Sequence, residues 1–123
     1  MTEINNAAEP VGIAYRYVVI YPDGSTMSSV HTRIPHWKEL QSYVDGSFQV
    51  VPHFSTYTYN GKKLKRGVAY CNEEGLIKHM PFNPAATKAW MEACPDGDPN
   101  MMKLHGPVLF IARDKEADDA PKG

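Results

Sequence analysis

The chain has 123 residues, 42% hydrophobic and 22% charged, which fits one packed domain and argues against both two ordinary domains and wholesale disorder. A net charge of −1 argues against a duplex-DNA binder with a broad cationic footprint and against a heavily acidic mimic of DNA, while leaving room for a local basic patch. Cys71 and Cys94 stand in neither CxxC nor Cys/His finger spacing, which argues against structural zinc; without a larger cysteine framework they read as cytosolic free thiols, with one disulfide between them left open.

Residues 1–12 read as a polar, flexible leader without the basic and apolar regions of a secretory signal. No apolar run approaches the ~20 residues that span a bilayer, so a soluble intracellular protein with no membrane partner is expected. Residues 13–21 (IAYRYVVIY) are β-branched and aromatic, a strand pattern. Pro22-Asp23-Gly24-Ser25 is a turn, and residues 26–32 return as an antiparallel partner. Residues 34–44 read as a short amphipathic helix with Pro35 in the first turn. Trp37, Leu40 and Val44 form its core-facing stripe, and both Trp37 and Trp90 are expected to be buried. Gly46 suits the left-handed position after the last turn. Residues 48–54 form a strand that Pro52 confines to a sheet edge or a bulge.

Residues 55–67 read as an inserted ribbon that projects from the sheet, turning at Asn60-Gly61. Residues 68–80 predict a hairpin, with strands 68–71 and 76–80 around the turn Asn72-Glu73-Glu74-Gly75. Asn83 is a helix N-cap and Pro84 the first helical residue; Ala86, Ala89, Trp90 and Ala93 share one face of a helix running through Cys94. Residues 95–100 are loop, residues 107–112 a central strand, and residues 114–123 a charged, disordered tail. The order predicts a single α+β domain over residues 13–113: a mainly antiparallel β-sheet, two helices packed on one face and a protruding β-ribbon.

Several motifs in this order carry a resemblance. Leu40-Gln41-Ser42-Tyr43-Val44-Asp45-Gly46 precedes Phe48-Gln49-Val50-Val51; Asn72-Glu73-Glu74-Gly75 precedes Asn83-Pro84-Ala85-Ala86-Thr87; and Gly106 opens a late apolar run to Ile111. Over residues 37–112 the chain resembles an uncharacterised family of small domains found in bacteriophages and mobile elements, a domain of unknown function. It departs from simpler members in the longer ribbon at 55–66 and in residues 95–100. The resemblance transfers no catalytic residue; it implies a phage origin and a small accessory role in the host cytoplasm.

Candidate site residues divide between scaffold and chemistry. Tyr57 and Tyr59, followed by Lys62, Lys63, Lys65 and Arg66, offer the aromatics and cations that single-stranded nucleic acid needs, or else form a soluble hairpin tip whose lysines discourage edge aggregation. Asn72 and Glu73 could hold a ligand at a hairpin tip or simply build a turn, and Asn83 could face a ligand or cap a helix. Cys71 could act as a nucleophile with His79 as base, although strand counting favours a buried thiol. His31, His36, His53, His79 and His105 share no metal-ligand spacing, and no cofactor motif is present. The expectation is a non-enzymatic phage accessory protein that binds a host protein. A single-stranded nucleic-acid module using residues 57–66 is the alternative. A third reading is capture of a small molecule, such as a nucleotide signal, near Asn83 and Asn100.

Overall fold

The computed structural model describes residues 14–114; the leader and the tail beyond Asp114 lie outside the described residues. In chain order the elements are β1 (Tyr15–Ile20), β2 (Thr26–His31), α1 (Trp37–Val44), β3 (Phe48–Val50), β4 (Tyr57–Tyr59), β5 (Lys62–Leu64), β6 (Val68–Asn72), α2 (Pro84–Ala93) and β7 (Val108–Arg113). The fold is α+β. Five strands form an antiparallel sheet in the order β2-β1-β7-β6-β3, and β4 and β5 pair as a separate ribbon. The most apolar run, β7, takes the centre and is buried at every position except Arg113. β3 stops before Pro52 and lies at the sheet edge, as the missing proline N–H requires.

The two helices cover opposite faces of the sheet, not one. Val18, Ile20, Ala69, Cys71, Val108 and Phe110 share one face with Ala86, Ala89 and Trp90 of α2. Tyr17, Val19, Leu109 and Ile111 share the other with Leu40 of α1. Successive strand residues point to opposite faces, so a central strand as uniformly apolar as β7 requires cover on both. The long connection between β1's hairpin and β3 carries α1 across the second face.

α1 starts at Trp37, later than the sequence suggests. His36 is its N-cap: the His36 N–H donates to Glu39 Oε1 at 2.8 Å and the His36 ring accepts from the Lys38 N–H at 3.3 Å. Pro35 therefore precedes the cap instead of sitting in the first turn. Leu40 and Val44 are buried, but Trp37 is 51% exposed. At the other end Asp45, with φ 62°, takes the left-handed position expected of Gly46.

Residues 76–80 form no strand. β6 is already paired on both sides, with β7 and with β3, so no edge remains for a following hairpin partner. Residues 73–79 instead form consecutive turns, closed by Lys78 N–H to Glu74 O at 2.8 Å and Met80 N–H to Gly75 O at 2.8 Å.

The β4–β5 ribbon turns at Asn60-Gly61, both with positive φ (51° and 81°), as an Asn-Gly hairpin does. It does not protrude. Leu64 is buried, and Tyr57 and Tyr59 pack onto the core, Tyr57 with its ring centroid 5.6 Å from that of Phe110. Tyr59 donates from its hydroxyl to Ser28 Oγ at 2.9 Å and lies under the Arg16 guanidinium. Asp114, which the sequence places in the tail, is buried and pairs with Arg16 at 3.1 Å and with Lys62. One carboxylate thus ties β1 to the ribbon, and aromatic area that would be costly to leave in water holds the ribbon flat.

Candidate functional site

Asn83 is fully buried and its side chain is fully engaged. Its Oδ1 accepts from the Ala86 N–H at 2.9 Å, which caps α2, while Nδ2 donates to Ile20 O at 2.9 Å and Gly106 O at 2.8 Å. Asn72 is similarly placed: Nδ2 donates to Val44 O at 3.1 Å and Asp45 O at 3.0 Å, and Oδ1 accepts from Glu74 N–H at 2.7 Å. It completes the C-terminal end of α1, whose last carbonyls have no partner inside the helix. The pattern that suggests a hairpin tip here serves to lock a helix onto a strand.

Glu73, by contrast, is exposed and lies at the rim of an open groove of about 670 Å³. The groove runs along the α2 face, between the β3–β6 edge, the 73–79 turns and the loop before β7. Trp90 stands in its wall, half-buried, with its indole N–H fixed to Pro52 O at 2.8 Å. Leu76 and Met101 border it and are 70% and 76% exposed. Gln49, Asn100, Lys103 and His105 supply polar groups around this apolar floor. Large apolar side chains held in water beside a concave surface mark a place where something docks. Sequence reasoning misses Leu76 and Met101 because Leu76 reads as a strand residue and Met101 falls in a loop.

Cys71 faces this groove as a buried thiol, and burial pushes its pKa up, so it remains protonated and weakly nucleophilic near neutrality. His79 is exposed in the 73–79 turns and does not line the groove, so the two are not brought together there. Both cysteines are free thiols. Of the two residues in the small-molecule reading, Asn100 lines the groove and Asn83 is enclosed in the scaffold. Among the described residues no His, Cys, Asp and Glu side chains cluster as a metal site, and no helix is long and apolar enough to cross a membrane.

The basic residues gather elsewhere. Lys62, Lys63, Lys65 and Arg66, joined by Arg113 of β7, line a depression of about 560 Å³. Tyr57 and Tyr59 do not line it: both pack partly onto the core, Tyr59 opposite Lys62 in the ribbon register and Tyr57 beside Lys63 at a smaller hollow, while Lys65 and Arg66 lie beyond the paired strands.

Residues 15–121 match the family model described as a domain of unknown function, DUF3846, and the chain belongs to that family. No curated protein and no solved structure matches it.

Proposed function

We propose that this member of the DUF3846 family is a non-catalytic accessory protein, of bacteriophage or mobile-element origin, that binds a host protein in the host cytoplasm. The observation that carries the binding reading is the groove bordered by Leu76 and Met101 with Trp90 in its wall. An apolar side chain of the partner enters it, and Gln49, Glu73, Lys103 and His105 form a polar rim. Binding energy in protein interfaces concentrates in such central apolar contacts, with a polar surround that excludes water. Origin and cellular location rest on the order of sequence motifs, not on the groove.

The test is capture from host lysate on the immobilised chain, comparing wild type with the double variant Leu76→Asp/Met101→Asp. Both positions are exposed, so the variant should unfold at an unchanged temperature. The reading expects one host protein retained by wild type and lost by the variant. Wild-type bait that emerges alone, or a partner held equally by the variant, would contradict it.

A further inference from the structure

We propose a second site, separate from the groove: the depression at Lys63, Lys65 and Arg66 binds the phosphate backbone of a single-stranded nucleic acid without reading its bases. Lys63, Lys65 and Arg66, three exposed cations within four residues, line this one concavity in a chain whose net charge is −1, so positive charge is gathered there. Lys63, Lys65 and Arg66 are exposed and form no ion pair among the described residues. Lys62 and Arg113 complete the lining, and Lys62 also holds Asp114.

The backbone that presents these cations is pinned. Arg66 has a left-handed backbone (φ 58°), an unfavourable conformation for a long side chain. The next residue, Gly67, lies so close to the central strand that a Cβ there would sit 2.3 Å from Phe110 Cζ. The Gly67 N–H also donates to Ser55 O at 2.9 Å, closing the base of the ribbon. Backbone strain held in place by tight packing is characteristic of sites that must present a side chain in one direction.

The chemistry favours phosphate over base. Tyr57 and Tyr59, the only aromatics of the ribbon, pack partly onto the core, Tyr59 donating to Ser28, and neither lines the depression, so no ring stands within it for stacking. A flexible strand can bend consecutive phosphates into a concave surface. The flattened ribbon offers no helix or free strand to insert into a duplex groove.

Fluorescence anisotropy with labelled oligothymidylate and oligoadenylate over a salt series tests this, using the full chain and the triple variant K63Q/K65Q/R66Q. All three positions are exposed, and a thermal melt confirms that the variant folds. The site predicts similar affinity for the two homopolymers. It also predicts that the slope of log affinity against log salt weakens by about 2 in the variant, because each phosphate that a cation neutralises adds about 0.7 to that slope. No binding by folded wild type in about 50 mM salt would overturn the proposal, as would an unchanged slope in the variant. A marked preference for one homopolymer, or tighter binding of a duplex of equal length, would each overturn the assignment to a single strand read through its backbone.

Discussion

The side-chain amide of Asn83 donates to the carbonyl oxygen of Ile20, 63 residues earlier in the chain, at 2.9 Å. The same nitrogen serves Gly106 O, and the same side chain caps α2, so one asparagine joins the end of β1, the approach to β7 and the start of a helix. The consequence for mutation differs from that of an ordinary cap. Loss of a cap alone costs ~1 kcal/mol. Asn83→Ala also strands two carbonyls at a fully buried position, so we expect a loss of about 3 kcal/mol, measured by urea unfolding. Asn83→Asp separates the two roles. Aspartate caps helices as well as asparagine does, but it cannot donate to Ile20 or Gly106, so it should destabilise at least as much as alanine. A nearly wild-type Asn83→Asp protein would reduce Asn83 to a cap.

Gly46 and Asn72 form a second matched pair. Gly46 has φ 141°, and a Cβ there would sit 2.8 Å from Asn72 Nδ2, the atom that holds Val44 O and Asp45 O. Gly46→Ala should therefore lose about 3 kcal/mol, part backbone strain and part displacement of Asn72. Asn72→Ala should lose about 2 kcal/mol. In the double variant the alanine at 46 no longer meets an amide, so the combined loss should fall short of the sum by about 1 kcal/mol in a double-mutant cycle.

The two tryptophans should separate cleanly. Trp37 is half exposed on α1, and Trp37→Ala should change stability by less than about 1 kcal/mol. Trp90 packs against the core and donates to Pro52 O, so Trp90→Ala should cost about 2–3 kcal/mol, below the full core value because it is only half-buried. Chemical denaturation of the two variants side by side decides this.

Local chemistry was legible in the sequence; relations between distant segments were not. The Asn83-Pro84 cap, the Asn60-Gly61 turn, the edge position enforced by Pro52 and the central place of β7 each follow from one or two residues and their backbone preferences. The second strand expected at 76–80 fails because pairing on both sides of β6 is decided by β3 and β7, segments that no local pattern connects. The stripe through Trp37, Leu40 and Val44 has the right helical spacing, yet the helix begins at Trp37, and that first side chain stays half exposed while Leu40 and Val44 are buried. For the site, the basic residues were visible as a run. That Tyr57 and Tyr59 turn partly onto the core and do not line the basic depression was not, because alternation along the ribbon only becomes inside and outside once the ribbon lies on Phe110.

Glu39 and Tyr17 are among the groups that link stability to pH. Glu39 is held at about 2, below its ordinary 4.5, first by hydrogen bonds from Arg33 and then by the His36 N–H. Its folded-state pKa is depressed, so its stabilising contribution is present above the ordinary value and is lost as pH falls from about 4.5 towards 2. Tyr17 is raised from 10.0 to about 12, chiefly by burial. Its contribution is complete below the ordinary value and is lost as pH rises from 10.0 towards about 12. Glu39→Gln should flatten the acid limb of a plot of melting temperature against pH and leave the alkaline limb in place. An unchanged acid limb would show that other carboxylates dominate it.

Methyl NMR of the methionines offers the most direct test of the groove as the docking surface. Met101 borders it and is 76% exposed; Met27 is 59% exposed on the edge strand β2, far from it in the sheet order, and serves as an internal control. With methyl-labelled protein and the captured host partner added stepwise, the Met101 resonance should shift or broaden at stoichiometric partner while that of Met27 stays in place. A shift of Met27 with Met101 unmoved would place the partner elsewhere and contradict the account.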